Sequence, residues 1–214
     1  MQALLARYRR HRFALLFVSL LLTLAVNPVV DAVVHFNPIE AFLGLNLIAA
    51  IAGAAQGRWF RRLVYLAVVF VAVRGLAVGL DVPGLLPASS FAWVIAVVLA
   101  IAATARHAFR ARSIDAEHVF AALDAYLLAG LVFGVGYTLL DAILPGSFGV
   151  AAESDLSMMR GIYFSFVTLA TLGYGDIVPA SDIARGVVIL EAVIGQFYLT
   201  VVVARLVGLY SQRS

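Results

Sequence analysis

The chain has 214 residues, of which 64% are hydrophobic and only 13% charged, with a mean hydropathy of +1.02 and a formal net charge of +3. That composition excludes an ordinary soluble domain. The absence of cysteine excludes a disulfide framework and a thiolate metal site, and the basic residues are all arginine, most of them clustered beside apolar runs, which speaks for membrane orientation and against nucleic-acid binding. Six apolar segments are predicted to span a bilayer, at about 13–34, 39–56, 62–80, 89–107, 118–144 and 182–209, each near the roughly 20 residues a crossing needs. Arg7, Arg9, Arg10 and Arg12 precede the first, Arg58, Arg61 and Arg62 lie between the second and third, and Arg106, Arg110 and Arg112 lie between the fourth and fifth. The opposite connections carry Asp31, Glu40, Asp81, Asp141, Glu153 and Asp155, with Arg160 and Arg185 the basic exceptions. This alternation predicts that both termini are cytoplasmic.

The first segment has the basic start and apolar run of a secretory signal, but no small-residue cleavage motif follows, and a retained span is expected. Asn27-Pro28 reads as a helix break near its outer end. Asn37-Pro38-Ile39-Glu40 then suits a helix start, with Asn37 as cap, Pro38 in the first turn and Glu40 near the positive end of the dipole. Arg74 is the basic residue within an N-terminal span; snorkelling, or pairing with Asp31, Glu40 or Asp81, is the simpler expectation, with a modulatory role as the alternative. The fourth segment, Phe91 to Ala105, contains no arginine or lysine. His11, His35, His107 and His118 are scattered near span ends, with no His-Glu-x-x-His arrangement, so catalysis is not expected.

Between the fifth and sixth spans lies a short apolar helix, predicted over about 158–170, too short to cross a membrane. Its end runs into Thr168-Leu-Ala-Thr-Leu-Gly-Tyr-Gly-Asp-Ile-Val-Pro179. Successive backbone carbonyls can face one axis only if neighbouring residues alternate between right- and left-handed conformations, and Gly173 and Gly175, two apart, supply the left-handed one cheaply. Leu172 and Tyr174 would then point away from that axis, and Thr171 would add a hydroxyl oxygen at its inner end. A ring of such oxygens from several chains replaces an ion's water shell. A plain glycine turn would explain neither the preceding short helix nor the Asp-x-x-Pro that follows.

The stretch resembles the signature of the tetrameric potassium channel superfamily, Thr-x-x-Thr-(Val/Ile)-Gly-(Tyr/Phe)-Gly-Asp, with Leu172 in place of the commoner Val or Ile. The resemblance covers about residues 115 to 212. It implies an all-α integral membrane protein in two parts: residues 1–112, a four-span bundle like a voltage sensor without gating charges, and residues 113–214, a pore domain with outer helix, re-entrant pore helix, filter and inner helix. K+ would bind at Thr171, Leu172, Gly173, Tyr174 and Gly175, with no cofactor, and one filter per chain implies a homotetramer in the plasma membrane, in contact with lipid. A regulatory subunit is left open, and so is a non-conducting relative that serves assembly.

The resemblance also assigns supporting roles. Some relatives hold the carboxylate outside the filter with a glutamate at the position that Val167 occupies here, so Asp176 is expected to take Tyr163 as partner, with Thr168 as a further support. Gly195 matches the hinge of the inner helix, or serves close helix packing, and Gln196, Leu199, Val203 and Val207 match cavity-facing positions, the last three able to gate by dewetting. The dipole of the pore helix would favour a cation in the cavity. Glu191 either titrates and modulates conduction or, more simply, is held behind the filter by hydrogen bonds to the pore helix. With no charge in the fourth span, voltage sensing is expected to be weak or absent. A tail ending at Ser214 leads us to expect no ligand-binding regulator domain.

Overall fold

Three helices of the computed structural model are long and apolar enough to cross a membrane, among the residues it describes: 11–34, 44–46, 49, 97–102, 104–106, 116–150 and 156–211. They are α1 (Arg12–Val34), α2 (Ala116–Ile143) and, after a short strand, helix and second strand, the long C-terminal helix Asp182–Ser211. These match the first, fifth and sixth predicted spans. A shorter apolar helix, Val97–Arg106, falls within the fourth. The remainder of that segment and nearly all of the second and third, Arg74 included, lie outside the described residues.

Helix α1 departs from expectation at Pro28, where no break occurs and the helix continues to Val34. Proline removes one N–H and so leaves the carbonyl four residues earlier without its donor, a loss that membrane helices absorb by local adjustment. The first turn of α1 has another orphan donor, the N–H of Phe13, which donates to Glu117 Oε2 at 3.0 Å. Phe17 and Phe120 pack ring to ring at 5.6 Å.

Chain contacts divide the molecule into Met1–Leu127 and Leu128–Ser214, a division that falls inside α2. In the second unit α2 is followed by β1 (Phe148–Val150), α3 (Met158–Leu169), β2 (Ile177–Pro179) and α4 (Asp182–Ser211). The class is helical as expected, with one addition. β1 and β2 pair antiparallel, Phe148 opposite Pro179, Gly149 opposite Val178 and Val150 opposite Ile177. Two non-helical connections meet there, and pairing satisfies backbone groups that neither helix can serve.

The loop after α2 is pinned by side chains. Buried Asp141 accepts the N–H of Phe148 at 3.3 Å on Oδ1 and that of Leu156 at 3.1 Å on Oδ2, so one carboxylate holds both ends of the excursion. The carbonyl of Ser147 accepts the N–H groups of Ala180 and Ser181, and Ser181 Oγ accepts the N–H of Ala184, capping α4.

Helix α3 begins at Ser157, whose extended backbone and hydroxyl, accepting the Arg160 N–H at 3.4 Å, form an N-cap. Its 12 residues make about 18 Å of helix, well short of a roughly 30 Å hydrocarbon core. It lies unusually close to α2, because glycine faces glycine where they cross. A Cβ on Gly161 would sit 2.5 Å from the Gly134 carbonyl oxygen, and one on Gly134 would sit 2.5 Å from Ile162 Cα. Small residues that let backbones approach are how helices associate in lipid, where apolar burial gives no net drive. Beside the crossing, Tyr137, Phe148 and Phe164 form a triangle of edge-to-face rings with centroids 5.2, 5.3 and 5.6 Å apart. Each such pair adds about 0.5–1.5 kcal/mol beyond its buried area. Leu156, Ile177 and Ala184 complete this core, which joins α2, α3, α4 and both strands.

Candidate functional site

The site begins where α3 ends. Ala170 donates its N–H to the Phe166 carbonyl at 2.9 Å, Thr171 to Thr168 at 3.0 Å and Leu172 to Val167 at 2.9 Å. The last two bonds, with Thr171 left-handed just past the cap at Ala170, close α3 in a Schellman-type ending that hands over directly to the segment Thr171–Asp176. In that segment φ is +57° at Thr171, +57° at Gly173 and +79° at Gly175, while Leu172 and Tyr174 between them keep negative values. The alternation of handedness matches the one expected from the two glycines.

Two of the three left-handed positions are glycine, as the sequence leads one to expect, and neither glycine would meet an atom within 4 Å if given a Cβ. Their requirement is conformational. Thr171 is the unexpected member, a β-branched residue in the left-handed region, which costs about 1–2 kcal/mol relative to ordinary backbone. Strain of this kind persists only where the surroundings over-determine it, and the Thr171 and Leu172 N–H bonds to α3 do so here.

Every residue from Thr171 to Asp176 is exposed in the single chain, Leu172 at 55% and Tyr174 at 65%. Two large apolar side chains thus stand more than half exposed among the described residues. Tyr163, on α3, is held by a hydrogen bond from its hydroxyl to the Asp176 carboxylate, which raises the phenol above the ordinary tyrosine range. Thr168 is half-buried and Val167 is buried, leaving no acid at that point of α3.

Behind the segment, α4 supplies the other predicted residues. Gly195 is buried against α3, and a Cβ there would come 2.5 Å from Leu169 Cδ2. Gln196 and Val203 are exposed, and Leu199 is half-buried. Val207 lies within α4, its side chain outside the described residues.

Glu191 of α4 is fully buried. Its Oε1 is hydrogen-bonded to Ser165 Oγ on α3, and its Oε2 accepts from Tyr137 Oη on α2. Ser165 Oγ also lies 2.8 Å from the Gly130 carbonyl oxygen. Sequence reasoning singled out Glu191 but not its partners, and it missed Asp141 as a loop clamp. Gly130 and Gly134, four apart on an apolar helix, were the legible sign of a close helix crossing. Nothing in the sequence tied Tyr137 to Glu191, 54 residues away.

Residues 122–212 match the family model described as "Ion channel". The chain is 36% identical over 91 residues to Two pore potassium channel c of Oryza sativa subsp. japonica, which covers 42% of this chain and 18% of that protein. It is 28% identical over 126 residues to Protein LctB of Bacillus caldotenax, covering 55% of this chain and 93% of that one. No solved structure matches. The chain thus spans under a fifth of the length of the rice relative, and the family match lies in the half that holds α2 to α4. The family match is to an ion-channel model, and the rice relative is a potassium channel by name.

Proposed function

We propose that this protein is a subunit of a potassium-selective channel that conducts K+ passively as a homotetramer, with weak or no intrinsic voltage sensing. The observation that carries the reading is the alternation of φ at Thr171, Gly173 and Gly175, which suits a column of oxygens from Thr171 to Gly175 that stands in for the hydration shell of K+. The exposure of Leu172 and Tyr174 supports the assembly, since a neighbouring copy would cover both and each copy brings one filter. The dipole of α3, negative at the end that hands over to the filter, would favour a cation on the inner side.

In this reading Tyr163 and Thr168 support the filter with Asp176, and Gly195 lets α4 lie close against α3 or bend. Gln196, Leu199, Val203 and Val207 line the cavity, where apolar rings narrow the path by dewetting. The chain sits in the plasma membrane with both termini cytoplasmic, and residues 1–112 form a bundle without the three or four gating charges that steep voltage dependence requires, roughly, in each subunit.

The test is ion flux through the purified full chain in liposomes, with sodium as the opposing cation. Barium-sensitive potassium flux without sodium flux, from a species that cross-links as a tetramer, is the expected result. A steep activation curve in planar bilayers under symmetric potassium would overturn the voltage claim. No flux at any potential would move the chain to a non-conducting or partner-dependent subunit.

A further inference from the structure

The polar cluster behind the filter raises a question of proton count. Ser165 has one hydroxyl proton, yet its oxygen lies within hydrogen-bond reach of two acceptors, the Gly130 carbonyl and Glu191 Oε1. Were Glu191 an ionised carboxylate, it could only accept, and one of those two contacts would set lone pair against lone pair. Among the described residues, the polar groups that face Glu191 from the elements packed on it are the Tyr137 hydroxyl of α2 and the Ser165 hydroxyl of α3, neither of them a cation. A fully buried charge in a membrane span would then rest on two neutral donors, where such charges ordinarily pair with an opposite one.

One arrangement satisfies every atom. We propose that Glu191 works as a neutral carboxylic acid and as a positioning residue. Tyr137 donates to its Oε2, its own Oε1–H donates to Ser165, and Ser165 donates to the Gly130 carbonyl, so that one directional chain ties α2 and α4 to α3. Ser165 lies fewer than two turns before Thr171, and the carbonyls of Val167 and Thr168 between them hold the first filter residues. Fixing α3 at Ser165 therefore fixes where the filter starts. The positioning role rests on the channel reading given above; the place of the proton does not.

The two parts separate in the test. Infrared difference spectra of the full chain in lipid bilayers at neutral pH, parent against Glu191→Gln, will show a protonated-carboxyl carbonyl band that the variant lacks. Tyr137→Phe, which removes the hydrogen bond to Oε2 and keeps the acid, will shift that band. A difference spectrum containing carboxylate bands instead would overturn the proposal whether or not the protein conducts. In liposomes, Glu191→Gln, whose amide can donate to Ser165 and accept from Tyr137, will keep potassium-over-sodium discrimination within about twofold of the parent, whereas Glu191→Ala and Ser165→Ala will lower it about tenfold. Glu191→Gln failing as badly as Glu191→Ala would show that charge and not the hydrogen-bond chain is required. A parent that passes no potassium would defeat the channel reading and leave the infrared comparison to decide the proton.

Discussion

The two sides of α3's C-terminal end differ in where their partners come from. Behind it, Ser165, Leu169 and Gly161 are buried against Gly130, Gly134, Glu191 and Gly195 of the same chain, with hydrogen bonds and backbone contacts made by α2 and α4. In front, Thr171 to Asp176 holds a strained, alternating backbone with Leu172 and Tyr174 more than half exposed. A single chain thus completes the support and leaves the segment Thr171–Asp176 open. In the channel reading proposed above, a segment that presents backbone oxygens cannot also satisfy them internally, so its rigidity would come from the helix that carries it.

The sharpest way to break the contrast is Gly173→Ala. Its Cβ meets nothing, but φ of +57° penalises any L side chain by about 1–2 kcal/mol in each subunit. Barium-sensitive potassium flux should fall at least about tenfold, while the thermal midpoint of the solubilised chain moves little. The rear face should respond in the opposite sense. Gly161→Ala forces a methyl to within 2.5 Å of the Gly134 carbonyl and Thr138 Oγ1, and overpacking of this kind costs about 1–3 kcal/mol, visible as a lowered unfolding midpoint in detergent.

Asp141→Asn tests the loop clamp. The amide keeps one acceptor oxygen and replaces the other with a donor, leaving the Phe148 or Leu156 N–H without a partner at about 1–3 kcal/mol, and proteolysis within the loop between β1 and α3 should quicken. The smallest effect is expected for Tyr163→Phe, at an exposed contact: folding unchanged, and conduction that decays faster under sustained potassium flux. The pH dependence has a definite sign. The phenol donates to Asp176 while neutral and its pKa is raised, so the link is whole below the ordinary tyrosine value of about 10 and is lost only as pH climbs through the raised one. The tyrosinate absorbance that the parent shows and Y163F lacks should therefore appear late in an alkaline titration.

Much of this was open to reading in the linear chain. Helices α1, α2, α3 and α4 fall within a few residues of the predicted segments, because uninterrupted apolar runs have few other ways to satisfy their backbone in lipid. Pro28 is the exception, since a proline that ends a helix in water need not end one in a membrane. The left-handed positions of Gly173 and Gly175 could be inferred from glycine alone, whereas Thr171 could not, because its conformation is imposed by the carbonyls of Val167 and Thr168.

The sequence by itself determined the membrane class, the lengths of the described helices and the left-handed glycines of the segment Thr171–Gly175, all of which depend on composition and on neighbours along the chain. Only the tertiary structure decided that Gly134 meets Gly161, that Asp141 holds both ends of a loop, and that Glu191 shares its carboxyl between Tyr137 and Ser165. A hydrogen bond or a backbone contact between residues tens of positions apart depends on how helices cross. That crossing is set by the sum of packing between helices, which no local stretch of sequence contains.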